Sequence, residues 1–129
     1  MAERAPQPFA YAVLRLVPRV ERGERLNVGV ALYCRRRDFL AVRAHLDAAR
    51  LAAFAPDLDP EPVRSHLDAL CLVADGDSAG GALASLEPSE RFGWLVAPSS
   101  TIIQPSEVHA GMTGDPHAAL DRLFASLVA

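Results

Sequence analysis

Three runs of strand-forming residues fall within the first 45 positions of this chain, and every clear helical stripe comes after them. Residues 9–17, FAYAVLRLV, stop at Pro18, which cannot donate a ladder hydrogen bond. Residues 26–34, LNVGVALYC, alternate more strictly. Leu26, Val28, Val30, Leu32 and Cys34 take one face, while Asn27, Gly29, Ala31 and Tyr33 take the other. The connection RRRD leads to a third strand over 39–45. Consecutive strands joined by short turns form an antiparallel meander.

Past residue 46 the hydrophobic period lengthens. Asp47 caps a short helix that ends before Pro56. Asp59 and Pro60 start a longer helix that Gly76 ends, with Val63, Leu67, Leu70, Cys71 and Ala74 as its apolar stripe. Residues 76–82, GDSAGGA, read as a flexible loop, Ser89 opens a helical turn, and STIIQPS is a short strand ended by Pro105. Asp115 and Pro116 begin a last helix striped by Leu120, Leu123, Phe124 and Leu127. Strands first and helices after predict an α+β fold: an antiparallel meander sheet of three to four strands with helices packed mainly on one face. The Leu26, Val28, Val30, Leu32 face is the expected helix-bearing one. The length fits a single domain over residues 1–129, with 1–8 as a loosely held N-terminal arm.

Several function classes recede on composition. No apolar run approaches the ~18 residues of a membrane span, and the polar, proline-rich start has no signal-peptide centre, so a cytoplasmic protein is expected. Cys34 and Cys71 have no metal-ligand spacing and read as reduced thiols at apolar positions. No His pair has the helical zinc spacing, and no glycine-rich fingerprint is present, so neither metal nor cofactor is expected. Thirteen arginines and no lysine reflect a GC-rich coding bias. Residues 1–50 hold ten arginines against five acids, and residues 51–129 hold three against eleven. Two halves packing with complementary fields account for this better than nucleic-acid binding through the arginine-rich N-terminal half, since no aromatics interleave with the arginines.

Asn27 is the only asparagine, and it sits in a strand, where asparagine is depleted. Gly29 and Ala31 leave its face almost bare, so something must occupy that space. The other polar concentration outside helices and charged turns is Arg91 to His109. Together these define candidate ligand-binding residues Glu24, Arg25, Asn27, Arg91, Ser99, Ser100, Thr101 and Gln104, whose hydroxyls, amides and guanidiniums suit a phosphate. His109, two residues after Glu107, is a weak general-base candidate, with Ser100 as the hydroxyl it would activate. The structural reading accounts for these residues better: Asn27 as a clamp on another segment, the serines as a self-satisfied turn. Phe92 and Trp94 read as core.

The segments YAVLRLVPRVERGERLNVGVALYC and ERFGWLVAPSSTIIQPSEVHAGMTGDPHAALDRLFASLV resemble the bacterial family known as domain of unknown function 3037, from Tyr11 to Val128. The resemblance names no activity. It implies a protein partner, a HipA-like kinase-domain protein encoded nearby, and so favours a small accessory or interaction module over an enzyme. Self-association is compatible with that reading. A small enzyme or a binder of a phosphate-containing ligand, with its site between the Asn27 strand and the Arg91 to His109 segment, remains the alternative.

Overall fold

The computed structural model describes residues 5–99 and 101–129. The chain is an α+β fold built on one antiparallel sheet. Strand β1 (Gln7–Leu16) is central, β2 (Leu26–Cys34) pairs with it, and β3 (Phe39–Ala44) forms the edge beyond β2. Two short strands share the other flank of β1. Strand β4 (Ile103–Pro105) pairs with Leu14–Leu16, and β5 (His109–Thr113) pairs with Gln7–Tyr11. Strand β1 begins at Gln7, inside the stretch expected to be an N-terminal arm.

Ser106 bridges the gap between β4 and β5. Its backbone N–H donates to Val13 O at 2.8 Å, and its hydroxyl oxygen accepts the Val13 N–H at 2.9 Å. A side chain thus replaces one rung of the ladder where the chain bends. Ser106 is the buried polar residue of the described core, 5% exposed.

Four helices close the structure: α1 (Ala48–Phe54), α2 (Pro60–Asp75), α3 (Pro88–Leu95) and α4 (Pro116–Leu127). The expected caps are in place. Asp47, Asp59 and Asp115 each accept first-turn N–H groups, and Gly76 ends α2 at φ 69°, a left-handed conformation that suits glycine. Leu14, Leu16, Val28, Val63, Leu67 and Ile103 are among the members of one core, between the sheet and α1, α2 and α3. Phe9, Val30, Leu32, Cys34, Ala119 and Leu120 belong to a second core beneath α4.

Those two cores correct the expected division of β2. Leu14 pairs with Gly29 but Arg15 pairs with Asn27, so Val28 is an extra residue on β2, a β-bulge. One added residue reverses the side-chain parity beyond it. Leu26 and Val28 therefore join the α2 side, whereas Val30, Leu32 and Cys34 face α4. The bare positions are covered as expected, since Ala31 is fully buried. The cover comes from the α2 and α3 layer, with Tyr33 stacked on Phe92 at 5.4 Å, rather than from the STIIQPS segment, which pairs edge-on as β4.

Residues 109–113 form a strand that no sequence signal marked. The Phe9 ring packs over Gly111, where a Cβ would come within 2.6 Å of it. Two local readings also change. The GDSAGGA stretch carries a 3-10 turn, Ser78–Gly80, with Asp77 capping it. Trp94 is 43% exposed, while Phe92 is buried. Among the described residues, no helix is long and apolar enough to cross a membrane.

Candidate functional site

Helix α4 covers only part of its side of the sheet. Its core holds Phe9, Val30, Leu32 and Cys34. The helix runs over β2 and β3 as far as the start of β2, so the β1, β4 and β5 flank of the same face lies beside it, and there the exposed chemistry is polar. Tyr11, Val13 and Arg15 alternate onto this face of β1. Arg15 stands opposite Asn27 on one side and Gln104 on the other, so the three side chains form a row across three strands. Directly opposed residues have Cα atoms about 4.5–5.5 Å apart, so such side chains touch. Tyr11 stands opposite His109, and their rings lie 5.3 Å apart.

Charge in this row is only partly engaged. Glu107 Oε1 lies 3.6 Å from His109 Nε2. The Glu107 carboxyl is held below its usual range, first by its own backbone N–H and then by the positive field of His109, Arg15 and Arg25. Arg15 and Arg25 form no ion pair among the described residues. Asn27 donates its amide N–H to Leu127 O at 3.0 Å, satisfying a carbonyl at the C-terminal end of α4. Arg50 does the same for Val128 O at 2.6 Å. Gln104 donates to Thr101 O at 3.0 Å. Each amide keeps its carbonyl oxygen as a further acceptor.

The remaining candidates lie elsewhere. Arg91 sits on the α2 side. Its Nη1 donates to Val73 O at 3.0 Å and Ala74 O at 2.7 Å, and its Nε donates to Leu86 O at 3.0 Å. It ties the end of α2 to the segment before α3, so its guanidinium is occupied. Ser99 and Thr101 bond each other at 2.8 Å, and Thr101 Oγ1 also donates to Ile103 O at 2.8 Å. They border a groove of about 270 Å³ on the α2 side, with His66, Trp94 and Pro105. Glu24 is exposed and paired with Arg22 at 2.7 Å, beside a cleft of about 380 Å³ that Arg19, Phe54 and Asp57 also line. Ser100 lies outside the described residues.

The structure therefore gathers Arg25, Asn27, Gln104 and His109 toward one side of the sheet and sets Arg91, Ser99 and Thr101 on the other. The expected site between the Asn27 strand and the whole Arg91 to His109 segment is split by the sheet itself. Arg15 and Tyr11 were not among the sequence candidates. Their signal was the alternation of β1, which puts Phe9, Tyr11, Val13 and Arg15 on one face. The arginines of the two hairpin connections do not merge into one basic stripe, because Arg22 and Arg35 flank opposite ends of β2, a strand of nine residues and about 30 Å.

A family model described as protein of unknown function (DUF3037) matches residues 11–128. No curated protein and no solved structure matches the chain.

Proposed function

The chain belongs to the DUF3037 family, and from that premise we infer that it is a cytoplasmic accessory module that docks a protein partner on the open polar face of its sheet. One observation carries the reading: α4 lies over β2 and β3 and leaves Arg15, Gln104 and His109 on the flank beside it, with Tyr11 half-buried at the margin and the Arg15 and Arg25 guanidiniums unpaired among the described residues. Tyrosine and arginine are the residues that anchor protein interfaces, where they lose water against a partner's matching groups. Small ligands are instead enclosed over most of their surface by a concave site, and this face is an open one. The arginines favour an acidic patch on the partner, with Glu107 setting the register by refusing a carboxylate at one end.

The resemblance supplies the first partner to try, a HipA-like kinase-domain protein. Titrating it with the wild type and with the double variant Arg15→Ala/Arg25→Ala tests the reading. Binding about 10-fold or more weaker in the variant, with folding unchanged, is expected, which corresponds to about 1.4 kcal/mol. Absence of a complex at about 100 μM, near the weak end of specific association, counts against this partner. Equal affinity for the variant counts against this face.

A phosphate-containing ligand at the same place is the second reading. The two unpaired guanidiniums beside His109 favour it. Glu107, whose charge already sits in their field, opposes it. Chemical-shift changes of Arg15 and His109 on adding inorganic phosphate, absent with chloride at equal ionic strength, are its mark.

A further inference from the structure

We propose that a second copy of this chain docks on the free edge of β5 by antiparallel strand addition, about a twofold axis through Ala110. Strand β5 pairs with β1 along one side, and its other side is the outer edge of the sheet. An edge strand presents unpaired N–H and C=O groups, and chains that stay monomeric blunt such edges with lysine, proline, inward charge or a bulge. Residues 109–113, HAGMT, carry no lysine, arginine or proline. Their register with Gln7–Tyr11 runs without a shift, so the edge is not bulged away.

The side chains of this edge point to a copy of itself. Val108 is 47% exposed and Met112 62% exposed, and Ala110 between them is exposed too. Residues 108, 110 and 112 share one side of the strand, the side opposite His109. A twofold through Ala110 sets Val108 against Met112 of the other copy and Met112 against its Val108. His109 then meets Gly111, and Glu107 meets Thr113, so no charge faces its like. Neighbouring twofold registers lose this match. Centring on His109 stacks that side chain on its own copy, and centring on Gly111 brings Glu107 against Asp115. The opposite edge, β3, has no such surface, since Phe39 to Ala44 are all half-buried.

Pairing at β5 would join two sheets of four strand positions into one of eight. It would also bring the two polar faces side by side, because His109 lies on the face opposite the apolar contact. The dimer is independent of the proposed partner. A single-chain wild type that still binds the kinase-domain protein overturns this inference alone, and a dimer that does not bind it leaves this inference standing.

Sedimentation over about 1–200 μM, a range suited to modest interfaces, reads the outcome. The wild type is expected to approach twice the 13.8 kDa of one chain. Val108→Glu/Met112→Glu opposes acid to acid and is expected to stay a single chain. Val108→Arg/Met112→Glu opposes unlike charges in this register and is expected to dimerise again. A wild type of single-chain mass at the top concentration, a dimer that survives the acid pair, or a charge-swapped variant that stays single each overturns the proposal. Hydrogen exchange needs no variant: amides of 109–113 with outward N–H groups should exchange more slowly as wild-type concentration rises. Rates independent of concentration overturn it as well.

Discussion

Replacing Ser106 with alanine removes one oxygen and opens the seam between β4 and β5. In the wild type, Ser106 Oγ accepts the Val13 N–H at 2.9 Å and donates to Glu107 O at 2.8 Å. Val13 and Ser106 are both buried, so after Ser106→Ala the Val13 N–H has neither its partner nor ready access to water. An unsatisfied buried backbone donor costs about 1–3 kcal/mol. The Glu107 carbonyl adds little, because Glu107 is exposed and water replaces the lost donor. An unfolding entropy of about 2.1 cal/mol/K per residue gives about 0.27 kcal/mol/K over the chain, so Tm should fall by about 4–11 °C. Urea unfolding gives the free energy, and hydrogen exchange gives the location, since the Val13 amide should lose protection more than its neighbours in β1. A stability change under about 0.5 kcal/mol, the range of ordinary surface substitutions, together with an unchanged Val13 amide, would refute the claim that this hydroxyl carries the seam.

Other consequences are open to direct measurement. Arg91→Ala frees the Val73, Ala74 and Leu86 carbonyls and should cost about 1–3 kcal/mol in urea unfolding, with the loss of exchange protection concentrated at the end of α2. Leu67, 4% exposed, should cost about 2–5 kcal/mol on truncation to alanine by the same assay, and a near-zero value would mean that α2 does not seat on the sheet through this stripe. Asn27→Ala should cost about 0.5–1.5 kcal/mol and loosen the end of α4, seen as faster exchange of the amides after Leu123. The Glu107 carboxyl should titrate below its ordinary 4.5 in a carbon-detected NMR titration, and Arg15→Ala should move the midpoint upward. Because its folded value is lowered, its contribution to stability is present above pH 4.5 and is lost as pH falls through the folded value.

Much of the architecture was legible because it rests on local signals. Asp59, Pro60 and Gly76 act within one helical turn of themselves, so the bounds of α2 follow from sequence. The stripe of α4 follows from its own period. The candidate site was legible only in parts. Asn27 and Gln104 reach one polar row, and each was marked by rarity or by its segment. Arg91 looked like a free cation because nothing in ERFGW says that the carbonyls of Val73 and Ala74 will lie beside it.

The sequence by itself determined the first three strands, their antiparallel meander, and the capped helices α1, α2 and α4, since period, cap and turn chemistry are all short-range. Only the tertiary structure decided which side chains meet. Period two fixes parity only while the pairing stays in register, and the extra residue at Val28 shifts that register by one. That single residue moves Asn27 to the side of α4 and leaves Gly29 and Ala31 under α2 and α3. The bulge is a property of how β1 and β2 pair, two segments that turn on each other through Gly23 at φ 69°, and no pattern within LNVGVALYC encodes it.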